Sequence, residues 1–231
     1  GLKASKKSGR SAADGLIAIK SNGKDYFMIE VNCETDFVAR DDSYIKFTNE
    51  TLNTFVDNSD KSLEDLLAEG IEENREKLVQ KLGENIVVRR VAKTENSTIT
   101  GSYLHSNNKI GCIISLEGGS EALANDIAMH VAATDPMAVS PDDIPEDVIA
   151  KEREIFKAQS EDSGKPPEIV EKMIEGKVSK FLSEVSLTEQ DFVKDPNQKI
   201  SKLLDDNNAN ILSFTRYEVG EGIEVEKVDF A

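Results

Sequence analysis

The feature that most constrains the fold of this chain is an apolar hairpin near its start, which is followed by an acidic turn and then by a helix. Gly15 to Val31 form two strand-like runs joined by the turn Ser-Asn-Gly-Lys at 21–24, which is typical of a tight antiparallel hairpin. Asp41, Asp42 and Ser43 then offer N-cap chemistry for a helix at 42–56. Residues 35–38 are therefore predicted to lie at the corner between a sheet and a helix, a position that often carries binding residues.

The same order of elements occurs twice along the chain. The first half reads as hairpin, helix, helix and strand, at 15–31, 42–56, 63–82 and 86–92. The second half repeats this order, with a long insertion after its first helix, at 101–116, 121–133, 199–206 and 211–219. The predicted fold class is α+β, with two related subdomains that are each a small antiparallel sheet covered by helices.

The insertion at 145–185 has the apolar spacing of two amphipathic helices. Apolar residues recur at a heptad interval in its first half and at steps of three and four in its second, and Ser-Gly-Lys-Pro-Pro at 163–167 separates the halves. We predict an antiparallel coiled-coil hairpin here. The predicted domains are then a basic leader at 1–14, an N-terminal subdomain at 15–98, a C-terminal subdomain at 99–144 and 186–231, and the hairpin at 145–185.

Composition and charge narrow the classes of partner. With 231 residues, of which 38% are hydrophobic and 31% charged, the chain is long enough for one large or two small cores. Its net charge of −16 repels a nucleic-acid backbone, and the basic cluster Lys3, Lys6, Lys7 and Arg10 is interpreted as a solvated leader. No apolar run approaches the ~18 residues of a membrane span. We expect a soluble intracellular protein with no direct nucleic-acid or membrane partner.

The residue patterns predict neither an enzyme nor a metal or cofactor site. Cys33 and Cys112 have no neighbour at metal-ligand spacing and are predicted to be reduced, buried thiols. His105 and His130 lie near no nucleophile motif, and the glycine pairs lack the lysine and spacing of a phosphate-binding loop. The acidic residues at 34–42 lack the ligand alternation and central glycine of an EF-hand.

Several segments, ordered from near the first residue to near the last, match one protein family. They are Lys-Lys-Ser-Gly-Arg-Ser-Ala-Ala-Asp-Gly at 6–15, Glu-Val-Asn-Cys-Glu-Thr-Asp-Phe-Val-Ala at 30–39, Gly-Glu-Asn-Ile at 83–86 with Arg-Arg-Val-Ala at 89–92, Ile-Ala-Met-His-Val-Ala-Ala at 127–133, Ser-Gly-Lys-Pro at 163–166 and Arg-Tyr-Glu-Val-Gly-Glu-Gly-Ile at 216–223. Together they resemble elongation factor Ts, the bacterial and organellar factor that removes GDP from the translational GTPase elongation factor Tu. Their number and order argue against a chance match.

The resemblance implies a guanine nucleotide exchange factor of protein biosynthesis. Its expected partner is elongation factor Tu, in a one-to-one or two-to-two complex, and its expected location is the bacterial cytoplasm, or the matrix or stroma of an organelle. The family also has a duplicated core and a coiled-coil hairpin. In the family a small helical domain precedes the Lys-Lys-Ser-Gly segment, and nothing here corresponds to it. We therefore expect a core fragment.

The resemblance also assigns the partner contacts. In the family the Asp-Phe pair found here at 36–37 enters the GTPase near its magnesium and nucleotide. Phe37 is expected to act as an apolar wedge and Asp36 to stabilise the displaced arrangement. The other expected partner-binding residues are Thr35, Val38, Ile110, Gly111, Met129, His130, Val193 and Lys194.

Other interpretations of these residues remain open from the sequence. Phe37 could pack beneath the first helix with Asp36 as its cap, His130 could be a hydrogen-bonded core histidine, and Gly111 could admit a neighbouring strand. At the level of function, the alternative is an acidic scaffold or assembly protein that binds a partner through the coiled-coil arm without nucleotide exchange. An enzyme is the third possibility.

Overall fold

The chain folds as a mixture of helices and small antiparallel sheets, which confirms the predicted α+β class. The computed structural model describes residues 6–95 and 98–225, and the three sheets lie within these ranges. Contacts divide the chain into two compact units. The first contains residues up to Ala132 together with those from Leu212 onward, and the second is Ala133–Ile211.

The strands form two three-stranded sheets and one two-stranded sheet in the described ranges. The first sheet contains β1 (Asp14–Ser21), β2 (Tyr26–Cys33) and β3 (Val87–Lys93), in that order. The second contains β4 (Ile99–Leu104), β5 (Ile110–Glu117) and β8 (Asn210–Glu218). The third is the hairpin of β6 (Asp191–Phe192) and β7 (Asp195–Lys199). Both predicted hairpins are confirmed by the antiparallel pairing of β1 with β2 and of β4 with β5.

The helices connect and cover these strands. The first unit contains α1 (Asp36–Ala39), α2 (Asp42–Asp57), α3 (Leu63–Leu66), α4 (Glu72–Leu82) and most of α5 (Glu121–Thr134). The second unit contains α6 (Glu146–Ser160), α7 (Pro167–Val185) and α8 (Ile200–Asp206), with 3-10 turns at Pro141–Asp143 and Leu187–Glu189. None of the helices at 6–95 or 98–225 is long and apolar enough to cross a membrane.

The main core of the first unit lies between the first sheet and helix α2. Strand β2 is buried along almost its whole length, and the rings of Phe27 and Phe55 meet edge to face, with centroids 5.6 Å apart. The Tyr44 hydroxyl donates to the Val31 carbonyl at 2.5 Å, so a buried polar group also ties the helix to the strand. This packing makes the corner after β2 a rigid support.

One predicted helix is interrupted. The sequence predicts a single helix at 63–82, but a kink within Leu67–Ile71 separates α3 from α4. Gly70 has φ of 100° and Glu69 has a non-helical φ/ψ pair. Glycine adopts positive φ at little cost, so the backbone hydrogen-bond ladder breaks at this position.

The segment before α8 is also more ordered than predicted. The sequence predicts no strand between 186 and 198, whereas the structure forms the β6–β7 hairpin with Val193 and Lys194 in its turn. Phe192 is buried and Val193 is exposed. The strand is only two residues long, too short to leave an alternating pattern in the sequence.

Helices α6 and α7 pack against one another in the second unit, as the spacing in the insertion predicts. Ile174 and Val178 are buried, whereas Ile155 and Ile169 are exposed. Arg153 pairs with Glu175 across the two helices. The coiled-coil geometry and the relationship between the two subdomains stay predictions.

Both cysteines are free and buried, as predicted. Burial raises the pKa of the Cys33 thiol to about 12 and raises that of Cys112 further. At neutral pH both are therefore thiols rather than thiolates, and they contribute to packing rather than to nucleophilic chemistry.

Candidate functional site

The turn after β2 forms a small, well-capped helix. We call residues Thr35–Val38 the tip. Thr35 is the N-cap of α1, in extended conformation, and its Oγ1 accepts from the Val38 N–H at 3.4 Å. Ala39 is buried in the main core, which anchors the helix from below. The aspartate that caps α2 is Asp41, whose Oδ1 accepts from the Ser43 N–H at 2.8 Å.

Phe37 projects from the tip into solvent. Its side chain is 78% exposed, while Val38 beside it packs on the main core. The alternative in which Phe37 packs beneath α2 and Asp36 caps that helix is therefore wrong for the free chain. An exposed aromatic ring on a rigid corner loses apolar hydration when a partner covers it, so the tip is suited to insertion into a partner.

Arg40 contacts both residues of the Asp-Phe pair. Its guanidinium donates to the Asp36 carboxylate and to the Asp36 carbonyl, and it lies 5.8 Å from the centre of the Phe37 ring. All of these groups are exposed to water, so the contacts contribute little to stability. They do bias the two side chains towards one orientation.

The segment after α4 is hydrogen-bonded to the tip. Gly83 ends α4 in the left-handed conformation, with φ of 79°, and Glu84 follows it directly. Glu84 accepts from the N–H groups of Glu34 and Thr35 and from the Thr35 hydroxyl. The sequence alone predicts no role for Glu84. An acidic residue directly after a helix-ending glycine is the one signal that could have drawn attention to it.

The other predicted contact residues in the first unit are largely inside it. His130 is fully buried in α5, and Met129 beside it is half-buried. Gly111 is also buried, and a Cβ there would approach Ile17 Cγ2 to 2.9 Å. Glycine at this position therefore allows close packing against the first sheet, in line with the interpretation that Gly111 admits a neighbouring strand. Ile110 is half-buried at the start of β5.

Val193 and Lys194 lie in the second unit, where they form the exposed turn of the β6–β7 hairpin.

Among residues 6–95 and 98–225, no group of three or more His, Cys, Asp or Glu side chains could hold a metal ion.

Comparison with known proteins decides the family. The family profile described as Elongation factor TS matches residues 34–221. The chain belongs to the elongation factor Ts family. It is 50% identical to elongation factor Ts of Hahella chejuensis over 233 residues, covering 100% of this chain and 81% of that protein. It is 51% identical to elongation factor Ts of Marinobacter nauticus, covering 100% of this chain and 80% of that protein. For Francisella tularensis subsp. novicida the identity is 50%, over 99% of this chain and 81% of the relative.

Membership of the elongation factor Ts family gives the class of activity. The chain is a nucleotide exchange factor of translation elongation that acts on elongation factor Tu, and it is not a catalytic enzyme. This confirms the function that the resemblance implies.

Proposed function

We propose that the tip performs the exchange by inserting Phe37 near the magnesium and nucleotide site of elongation factor Tu. The observation that carries this proposal is the exposure of the Phe37 ring on a helix fixed to the main core. Asp36, exposed beside it, stabilises the displaced arrangement through its carboxylate.

The physical mechanism needs no covalent chemistry. Magnesium requires near-ideal octahedral coordination, so moving the GTPase segments that position its ligands and waters weakens nucleotide binding. Burying one phenylalanine side chain yields about 1.5–3 kcal/mol. Because 1.4 kcal/mol corresponds to a factor of ten, this ring alone can offset about 10–100-fold of nucleotide affinity.

Exchange then follows from linkage. A protein that binds the GTPase most tightly when the nucleotide is loosened must loosen the nucleotide when it binds. GDP leaves, and GTP binding displaces the factor. The broader docking surface supplies affinity, and the tip converts part of that affinity into distortion of the site.

The remaining predicted contacts lie on both units, and we call them together the docking surface. In this proposal Thr35 and Val38 flank the wedge, Ile110–Gly111 and Met129–His130 are further contact pairs of the first unit, and Val193–Lys194 is a contact pair of the second. Met129 and Ile110 offer partly accessible apolar surface, and Val193 and Lys194 are exposed. Because His130 and Gly111 are buried, they support their neighbours in the free chain.

Replacing His130 by Ala tests this division of roles. We expect the free energy of unfolding to fall by about 1–3 kcal/mol, because a fully buried polar ring is removed from the core. The affinity of the folded fraction for nucleotide-free elongation factor Tu should stay within a factor of about three. Both quantities are measured on one preparation, by urea denaturation and by titration. A large loss of affinity at unchanged stability would make His130 a direct contact.

The organisation of the factor is proposed on the same basis. We propose two related subdomains at 15–98 and at 99–144 with 186–231, preceded by the leader at 1–14, with 145–185 as a coiled-coil arm. The arm proposal is supported by the mutual packing of α6 and α7 and by their buried Ile174 and Val178. One chain binds one GTPase, in a one-to-one complex or in a two-to-two complex. Binding takes place in the bacterial cytoplasm, where translation occurs.

Deleting the arm distinguishes exchange by the tip from a scaffold that binds through the arm. The variant replaces 145–185 by a short Gly-Ser linker. Because a heptad hairpin buries its apolar seam mainly against itself, the remaining chain should stay folded. GDP release from elongation factor Tu should persist at a similar or reduced rate. Loss of binding with a cooperatively folded core would favour the scaffold, and loss of cooperative unfolding would make the arm an integral part of the core.

A further inference from the structure

We propose that Glu84 is a positioning residue for nucleotide exchange: its carboxylate holds the backbone of the tip in the orientation that presents Phe37. The inference rests on the proposed function of Phe37, and it concerns a residue outside the tip. Glu84 Oε1 accepts from the Glu34 N–H at 3.1 Å and from the Thr35 N–H at 3.0 Å. Its Oε2 accepts from Thr35 Oγ1 at 2.8 Å.

The support is reciprocal. Glu34, which donates its N–H to Glu84, uses its own Oε1 to accept from the Asn85 N–H at 2.8 Å. Asn85 is buried, and its side-chain amide donates to the Arg10 carbonyl at 2.8 Å. Two turns that are distant in sequence are therefore joined by hydrogen bonds in both directions. Carboxylate acceptors of backbone N–H groups make some of the stronger hydrogen bonds in proteins.

A one-turn helix needs such support. An isolated helix of four residues is not stable in water, because nucleation costs more than one turn returns. Within α1 only Ala39 is buried, and it lies at the end away from Thr35. The direction of Phe37 is therefore set by the packing of Val38 and Ala39 on the main core and by the hydrogen bonds of Thr35 to Glu84.

Glu84 also fixes the cap of the tip. Thr35 Oγ1 donates to Glu84 Oε2, which leaves the lone pairs of Oγ1 for the Val38 N–H. Without the carboxylate the hydroxyl is free to rotate and donate elsewhere, and the cap weakens. A looser tip spends less time in the orientation that presents Phe37, so the wedge acts less often and exchange slows.

The test compares Glu84→Ala with Glu84→Gln, which keeps a carbonyl oxygen for the two N–H groups. With saturating factor, the rate of fluorescent GDP release from elongation factor Tu should fall about tenfold in Glu84→Ala. Most of the rate should return in Glu84→Gln. The factor concentration that gives half-maximal release should change much less than the maximal rate, because the docking surface is intact.

The matched control is Asp143→Ala in the second unit. Asp143 likewise holds a turn, accepting from Ser140 N at 3.3 Å and from Ser140 Oγ at 2.9 Å. Asp143→Ala should leave the rate of GDP release unchanged. A loss of the same size in this control would assign the Glu84 effect to general loosening of the fold, and would overturn the proposal.

A spectroscopic measurement on the free chain separates positioning from mere stability. The chain contains no tryptophan, so Phe37→Trp provides a single reporter at the tip. Adding Glu84→Ala should lower the fluorescence anisotropy of this reporter at temperatures where the chain is fully folded, and Asp143→Ala should not. Unchanged anisotropy of the reporter in the presence of Glu84→Ala would overturn the proposal.

The same variants distinguish a failure of the Phe37 wedge mechanism from a failure of the positioning role of Glu84. If Phe37→Ala itself leaves GDP release unchanged, the wedge mechanism fails, while the anisotropy still decides whether Glu84 positions the tip. If Phe37→Ala slows release and Glu84→Ala does not, the wedge stands and the positioning role of Glu84 is wrong.

Discussion

Phe37→Ala is expected to slow GDP release markedly while hardly changing stability. The ring is 78% exposed in the free chain, so its removal should cost well under the ~3–5 kcal/mol typical of truncating a core phenylalanine. In the complex the wedge contributes about 1.5–3 kcal/mol, so exchange should slow by about 10–100-fold. Binding to nucleotide-free elongation factor Tu should persist through the rest of the docking surface. The measurements are fluorescent GDP release, affinity and the urea denaturation midpoint.

Two control variants bracket this result. Phe55→Ala truncates a buried phenylalanine and should lower stability steeply. Leu212→Ala truncates an exposed apolar side chain that is not one of the proposed contact residues, and it should leave both properties unchanged. Asp36→Ala should show a milder form of the exchange defect. A steep loss of stability in Phe37→Ala, with normal GDP release from the folded fraction, would place Phe37 in the core and exclude the wedge.

Glu30→Ala is expected to lower stability about as much as truncating a core phenylalanine. Glu30 is fully buried, and its carboxylate accepts from Arg90 Nε at 2.5 Å and from the Gly220 N–H at 2.8 Å. It also accepts from Asn32 Nδ2 at 2.9 Å and from Arg89 Nη1 at 3.3 Å. Removing this carboxylate leaves two guanidinium groups near each other, with Glu221 Oε1, 2.7 Å from Arg90 Nη2, as their remaining carboxylate acceptor. Breaking a buried pair in this way costs about 3–5 kcal/mol.

The matched control for Glu30 is Glu175→Ala. Glu175 also pairs with an arginine, Arg153, but both side chains are exposed, so its loss should cost less than about 1 kcal/mol. The measurement is the free energy of unfolding of each variant, from urea denaturation. A cost for Glu30→Ala as small as that for Glu175→Ala would mean that the two arginines find other partners or water. It would also mean that the contact of Glu30 with the Gly220 N–H does not contribute to stability.

Local signals in the sequence predict much of this fold because they act over short distances. The Asn-Gly turn with its flanking apolar runs specifies the first hairpin, and Asp41 marks the start of α2 within one residue. The break at Gly70 is missed because a glycine within a helical pattern is often tolerated. The β6–β7 hairpin is missed because two-residue strands carry no periodicity.

The site is only partly predictable for a different reason. The residues alone leave open whether Phe37 packs beneath α2, and only the family resemblance favours the exposed ring that the structure shows. Helix α5 is apolar around most of its circumference, so the sequence alone cannot show that His130 faces inward. The role of Glu84 depends on contacts across about 50 residues of sequence, which only the folded chain brings together.

The most direct test of nucleotide exchange by this chain is the release of fluorescent GDP from elongation factor Tu. The complex is mixed with excess unlabelled GDP and increasing amounts of the chain, and binding of the chain is followed in parallel. Linkage predicts that the release rate rises with chain concentration, far above the spontaneous rate, and then saturates. A chain that binds the GTPase at these concentrations but leaves GDP release at its spontaneous rate would contradict the exchange mechanism and leave the acidic scaffold in its place.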